Sequence, residues 1–219
     1  MSRPARPLAV PTATRLAAVA AEAFAQSGLE GASLNSILKE ARMGKGSFYH
    51  HFTDKAALHD WVTETLSQTL LAETRPPRLE TLTAASLRLE LSELLDRLGQ
   101  IAATHPEVMN LGRIFHNSVD VSPDRAISKL RHAMIVWLTD VLRIGQTLGI
   151  IRRDLPLGLL TAWTIASFTA IDQWVLTTTA PVTKRRTAAD TALDSLWQVL
   201  TTVASTTTQT GEQLTPRTR

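Results

Sequence analysis

The sequence predicts an all-α protein, and three observations carry that prediction. Apolar residues recur at helical spacing over most of the length, as with Leu16, Val19, Ala20, Ala23 and Phe24. No strand-like alternation and no Asn-Gly hairpin signal interrupts them. Proline and glycine fall between the periodic segments, at Gly28, Pro76-Pro77, Pro106, Pro123, Gly149 and Pro156, where they start or stop helices rather than break them. With 219 residues the chain can hold one or two domains and a sizeable core.

Taken in order, residues 1–11, rich in proline and carrying Arg3 and Arg6, read as a mobile arm. A first helix runs from about Thr14 to Ser27, with Gly28 as its stop. Ser33 is a good N-cap for a second, whose inner face is Leu34, Ile37, Leu38 and Ala41. A third covers Lys45 to His51, and Asp54 caps a fourth that continues to about Glu73, before Pro76-Pro77. Leucines at helical spacing mark Leu79 to Thr104, and a shorter piece follows from Pro106 to about Asn117. Pro123 to Leu148 carries Ile127, Leu130, Met134, Trp137, Leu138 and Val141 as one stripe, with Gly149 as terminator. Pro156 to Thr179 and Thr187 to Ser205 form the last two helices, and the threonine-rich residues 206–219 read as a disordered tail.

The last two helices point to self-association. Leu160, Trp163, Phe168, Ile171 and Val175 mark one apolar stripe, while Ala162, Ala166 and Ala170 mark another on the same helix. A helix apolar on two faces must be covered from two sides. Leu193, Leu196, Trp197 and Leu200 give the final helix its own stripe, so two such helices from each of two chains would build a four-helix bundle. The alternative is the core of a monomer.

Composition excludes several chemistries. The net charge of +3 and seven Lys/Arg against five Asp/Glu in residues 1–60 permit nucleic-acid binding without demonstrating it. With no cysteine, disulfides, thiolate metal sites and cysteine nucleophiles are excluded, and a cytoplasmic setting is expected. Arg15 and Glu22 interrupt the N-terminal alanine run that resembles a signal peptide. Leu155 to Ile171 lacks charge, but Thr161, Thr164, Ser167 and Thr169 with the following Asp172 suit a buried helix in a bundle, not a membrane span. No H-E-x-x-H, E-x-x-H, G-x-S-x-G or P-loop spacing occurs, and the six histidines form no i, i+4 pair. No enzyme activity, cofactor or metal site is expected.

The most informative segment is Ser33 to Leu58, SLNSILKEARMGKGSFYHHFTDKAAL. Two short helices joined by a tight turn lead at once into a third. Small and basic residues, Gly44-Lys45-Gly46-Ser47, open the second of the pair, and Phe48 and Phe52 back it from the core side. A major groove about 12 Å wide admits such a helix when its leading side chains are small or hydrogen-bonding.

This segment resembles the DNA-binding domain of the TetR family of bacterial transcriptional regulators over about Thr12 to Trp61. The all-helical remainder, with Gly149-Ile150-Ile151-Arg152-Arg153-Asp154 after a long helix, resembles the family more loosely. The resemblance implies residues 1–53 as a three-helix helix-turn-helix DNA-binding domain with an N-terminal arm. Residues 54–205 would then form a helical ligand-binding and dimerisation domain. It further implies a homodimer on double-stranded DNA at a palindromic operator, released when a small ligand changes the spacing of the two reading helices. Carried over, Ser33 would touch a phosphate, Lys45, Gly46 and Ser47 would lie on or near base edges, Tyr49 and His50 would meet the backbone, and Lys55 would pair with phosphate. Members often carry glycine and then serine where Arg42 and Gly44 stand here. Arg42 would gain a backbone contact, whereas Gly44 can cap the helix but offers phosphate no side chain.

Each residue also has a plainer reading. Tyr49 could pack between the first and fourth helices, Lys45 and Lys55 could be solvated charges, and His51 reads as a cap or bridge to the first helix. Arg3 and Arg6 could enter a minor groove or simply belong to a loose arm. Asp140 and Asp172 read as helix-surface or interface residues, the alternative being a pocket. For a hydrophobic or aromatic small-molecule effector the sequence offers His105, Met109, Phe115, His116, Met134, Trp137, Trp163, Ser167, Phe168 and Asp172, each equally able to be ordinary core. The function expected is a repressor released by ligand. The alternatives are a helical-bundle enzyme or cofactor carrier with a DNA-binding head, or an effector-independent module.

Overall fold

The computed structural model describes residues 8–118 and 122–201. The expectations for an arm at Arg3 and Arg6 and for a tail over 206–219 lie outside those residues. Among the described residues every regular element is helical. The α-helices are α1 (Val10–Gly31), α2 (Leu34–Glu40), α3 (Lys45–His51), α4 (Lys55–Thr74), α5 (Leu87–Thr104), α6 (Pro106–Asn117), α7 (Ala126–Thr147), α8 (Leu157–Thr177) and α9 (Val182–Thr201), with a 3-10 turn at Leu79–Thr81.

Local chemistry sets most boundaries. Pro11 lies in the first turn of α1, where its missing N–H costs nothing, so the helix begins at Val10 rather than Thr14. Helical dihedrals do break at Gly28 (φ 65°, ψ 179°), as expected, but the chain makes one more turn to Gly31, closed by the Ala32 amide donating to the Gly28 carbonyl. The Ser33 hydroxyl oxygen accepts from the Ser36 amide at 3.3 Å and starts α2. The Asp54 carboxylate accepts from the Ala57 amide at 2.7 Å and starts α4.

Three boundaries differ from expectation. The helix expected from Leu79 begins at Leu87, because Thr83 and Ser86 bond each other through hydroxyls and amides and compete with helix continuation. The helix expected from Pro123 begins at Ala126, after a turn in which Ser122 bonds Asp124. The helix expected from Thr187 begins at Val182, since Pro181 is well placed just before a first turn and its carbonyl accepts from the Arg185 amide.

One core joins the first three helices to the rest. Leu16, Ala20 and Phe24 of α1 meet Ile37 and Leu38 of α2, Phe48 of α3 and Leu58, Val62 and Leu66 of α4. Leu111 and Ile114 of α6 and Ile127 of α7 complete the same cluster. Full burial of a side chain such as Phe24 or Phe48 contributes about 2–3 kcal/mol. The N-terminal helices are thus seated on α6 and α7 by apolar contact, with α1 against α6 the most extensive helix pairing. Two smaller clusters hold the far end, around Leu142, Leu160, Leu196 and Leu200 and around Leu82, Leu87 and Val141. No helix is long and apolar enough to cross a membrane among the described residues.

Candidate nucleic-acid interface

The turn from Ala41 to Gly44 aims α3 outward. The Met43 amide donates to the Leu38 carbonyl and its side chain is buried, which pins the turn from below. Arg42 adopts φ 53°, a left-handed conformation that costs a residue with a Cβ free energy. Gly44, Lys45, Gly46 and Ser47 then follow as an exposed run, while Phe48 is fully buried. Phe48 stacks on Phe52 at 5.3 Å between centroids, and Phe52 meets Trp61 of α4 at 5.4 Å. A short helix is therefore held rigidly from behind and left bare in front.

The glycines are informative here. A Cβ built on Gly44 or Gly46 would meet no atom within 4 Å, so internal packing does not demand glycine at either position. The side chains of Arg42 and Lys45 have no ion pair or hydrogen bond among the described residues, and both are exposed. Tyr49 is 59% exposed, its ring edge-on to Phe48 at 5.1 Å; it does not pack between α1 and α4. His50 is exposed and lies edge-on to His51, whose ring is half-buried. Ser33 is exposed and, although its oxygen caps α2, its hydroxyl proton remains available.

Lys55, expected to pair with phosphate, is held by protein carbonyls in the free chain. Its Nζ donates to the Glu30 carbonyl at 2.9 Å and to the Ala32 carbonyl at 3.0 Å, which occupies two of its three N–H donors. Nothing in the sequence flags that pairing, because the partners lie more than twenty residues away.

The ten residues considered for an effector pocket do not converge on one cavity. Phe115 packs on the N-terminal core, with the Arg131 guanidinium 4.6 Å over its ring. Trp137 joins the Leu82–Leu87–Val141 cluster and Phe168 the Leu142–Leu160 cluster. Met134 is 51% exposed and Trp163 43% exposed, so neither closes a wall. The Ser167 hydroxyl donates to the Trp163 carbonyl within α8. His105 Nδ1 lies 3.0 Å from Glu107, and Met109 is half-buried one turn along α6. His116 and Asp172 do approach, at 3.9 Å, across the seam between α6 and α8. Desolvation raises the Asp172 carboxyl against an opposing pull from His116, an effect that solvent screens because the side chain is 63% exposed. Two concavities among the described residues, of about 390 and 340 Å³, are lined by other residues, around Arg143 and Arg153 and between α1 and α2.

Sequence reasoning missed the links between the N-terminal helices and the body. Asn117 Nδ2 of α6 donates to the Ala25 carbonyl of α1 at 3.0 Å. Arg125 lies 3.2 Å from the Asp60 carboxylate and donates to the Ala56 carbonyl, while Asp60 also accepts from the Ala126 amide. Beside them His59 is buried edge-on to Phe24, with Nδ1 unpartnered among the described residues. Its pKa is lowered to about 4 by burial first and by the Arg125 charge second.

This arrangement has relatives. Residues 16–60 match the model of the bacterial regulatory proteins, tetR family. The HTH-type transcriptional repressor DhaR of Mycobacterium sp. (strain GP1) is 31% identical over 162 residues, covering 67% of this chain and 73% of that protein. The chain belongs to the tetR family of bacterial regulators. The HTH-type transcriptional regulator UidR of Escherichia coli (strain K12) is 36% identical over 69 residues, 32% of this chain. The chain thus matches about a third of UidR, 35% of its length. The fold is shared with AibR, solved in complex with isovaleryl coenzyme A and operator DNA, which superposes with a TM-score of 0.64 at 16% identity, covering 87% of this chain and 98% of that one.

Proposed function

We propose that this tetR-family chain is a transcriptional repressor that binds a palindromic operator as a homodimer and leaves it when a hydrophobic or aromatic small molecule binds. The observation that carries the reading is the bare front of α3. Gly44, Lys45, Gly46 and Ser47 are exposed, the cations of Arg42 and Lys45 lack protein partners among the described residues, and no packing calls for the two glycines. Such a front suits base edges, with Lys45 and Ser47 donating and Gly46 allowing close approach. Contact of Arg42, Tyr49, His50 and the Ser33 hydroxyl with phosphates is supported by their exposure beside that front.

Dimerisation through α8 and α9 is supported by the exposure of Ala162, Ala166 and Ala170 together with Trp163 and Trp174 along α8. A two-fold pair of reading helices requires half-sites in inverted repeat. Release by a ligand is supported by the complex of AibR with both isovaleryl coenzyme A and operator DNA, and by the repressor function named for DhaR. Selection of bound fragments from random duplex DNA tests the reading, followed by a screen of small molecules that free the protein from the selected sequence. An enriched inverted repeat is expected. Enrichment of no sequence would overturn the proposal.

A further inference from the structure

We propose that Lys55 is a positioning residue of the DNA-reading head, acting through the α1–α2 turn and not as a cation on phosphate; the inference rests on the DNA-binding reading above. Lys55 is the first residue of α4 and is half-buried. Its ammonium bonds the Glu30 carbonyl, one of the last in α1, and the Ala32 carbonyl, in the residue just before Ser33. The carbonyls at a helix end lack intrahelical partners and carry partial negative charge, so a cation there is favoured. One side chain therefore joins the end of α1, the entry to α2 and the start of α4.

The joint matters because of where it lies. Gly28 has already broken the regular geometry of α1, so the segment from Leu29 to Ala32 is not held by an unbroken helix. Ser33, next in the chain, caps α2, and α2 carries α3 through the Ala41–Gly44 turn. The direction of α3 relative to α4 is set partly by the core and partly by this ammonium. Among the described residues, the unpartnered cations nearest the front of α3 are instead Arg42 and Lys45.

The two roles separate experimentally. Substituting a lysine that binds phosphate weakens operator and unrelated duplex alike and lowers the salt slope by about 0.9. Substituting a lysine that positions the head weakens the operator selectively. Affinities of full-length wild type, Lys55→Gln, Lys55→Met and Lys55→Arg are measured by fluorescence anisotropy over a salt series, on the selected operator and on a scrambled duplex. Lys55→Met is expected to cut the operator-to-scrambled ratio about tenfold, with binding to scrambled DNA unchanged and the salt slope within about 0.3 of wild type, well short of the phosphate value. Lys55→Arg should restore the ratio, since a guanidinium keeps the charge and has donors enough for both carbonyls. Lys55→Gln, neutral but able to donate, should keep part of the ratio and the full slope, and it scores the proposal if Lys55→Met does not fold. An unchanged ratio, or a slope lower by about 0.9 in Lys55→Gln, would overturn it. If wild type selects no duplex, the DNA reading fails by itself. Amide exchange in the free protein then decides the clamp: faster exchange at residues 32–36 in Lys55→Gln supports it, and unchanged exchange rejects it.

Discussion

The side-chain amide of Asn117, at the end of α6, donates to the main-chain carbonyl of Ala25, in the second half of α1, at 3.0 Å. This bond spans ninety-two positions of sequence and ties the helix that carries the head to the helix that flanks the body. Phe115 and His116, just before it, are engaged by Arg131 of α7 and by Asp172 of α8. The end of α6 is thus where three other helices meet.

Asn117→Ala is expected to lower stability by about 1 kcal/mol, the net worth of one such bond. It should also shrink the difference in operator affinity with and without an effector. Urea unfolding and paired affinity measurements check both. An unchanged effector response would remove the α6–α1 link from the coupling.

Arg42 couples strain to an exposed charge. Arg42→Gly relieves a left-handed conformation but adds freedom to the unfolded chain, so stability should stay level or rise by up to about 1 kcal/mol. Operator affinity should move the other way, with a salt slope lower by about one. Thermal melts beside anisotropy titrations read the two signs. A fall in stability with unchanged affinity would contradict the account.

Two glycines make a contrast. At Gly46 a Cβ meets no atom within 4 Å, so Gly46→Ala should raise stability, by at most about 1 kcal/mol of helix propensity, while weakening operator binding. At Gly145 a Cβ would collide with Ile151 Cγ1, so Gly145→Ala should cost about 1–3 kcal/mol. Denaturant midpoints of both variants decide. Equal effects would mean that neither glycine is explained.

His59 gives the fold a sensitivity to acid. Its folded pKa, about 4, lies below the unfolded value of about 6.5, so below pH 6.5 the unfolded chain binds the extra proton. Stability should therefore be fully present above about pH 6.5 and decline by up to about 1.4 kcal/mol per unit as pH falls toward 4. His59→Leu should flatten the profile across that acid range. A parallel profile for the variant would place the acid sensitivity elsewhere.

What could be read from the chain alone was what local rules encode. Ser33 and Asp54 announce α2 and α4 because capping acts within three residues, and Phe48 beside exposed neighbours announces the anchored face of α3. The helical stripe of α7 was legible too, yet Met134 sits in its middle and is exposed, because periodicity gives a face and not what covers it. Lys55 was legible as a cation at a helix start, but not as a donor to Glu30 and Ala32, since the choice of partner is made by tertiary geometry. The links of Asn117 and Asp60 were hidden for the same reason.

The central claim is that Ser47 and its neighbours at the front of α3 read base edges. It is tested most directly by measuring Ser47→Ala against a panel of operator duplexes, each with one symmetric pair of base changes. The account predicts that discrimination relaxes by about 1–3 kcal/mol at a single symmetric pair of positions while the rest of the preference profile stands. An equal loss on every duplex would contradict it.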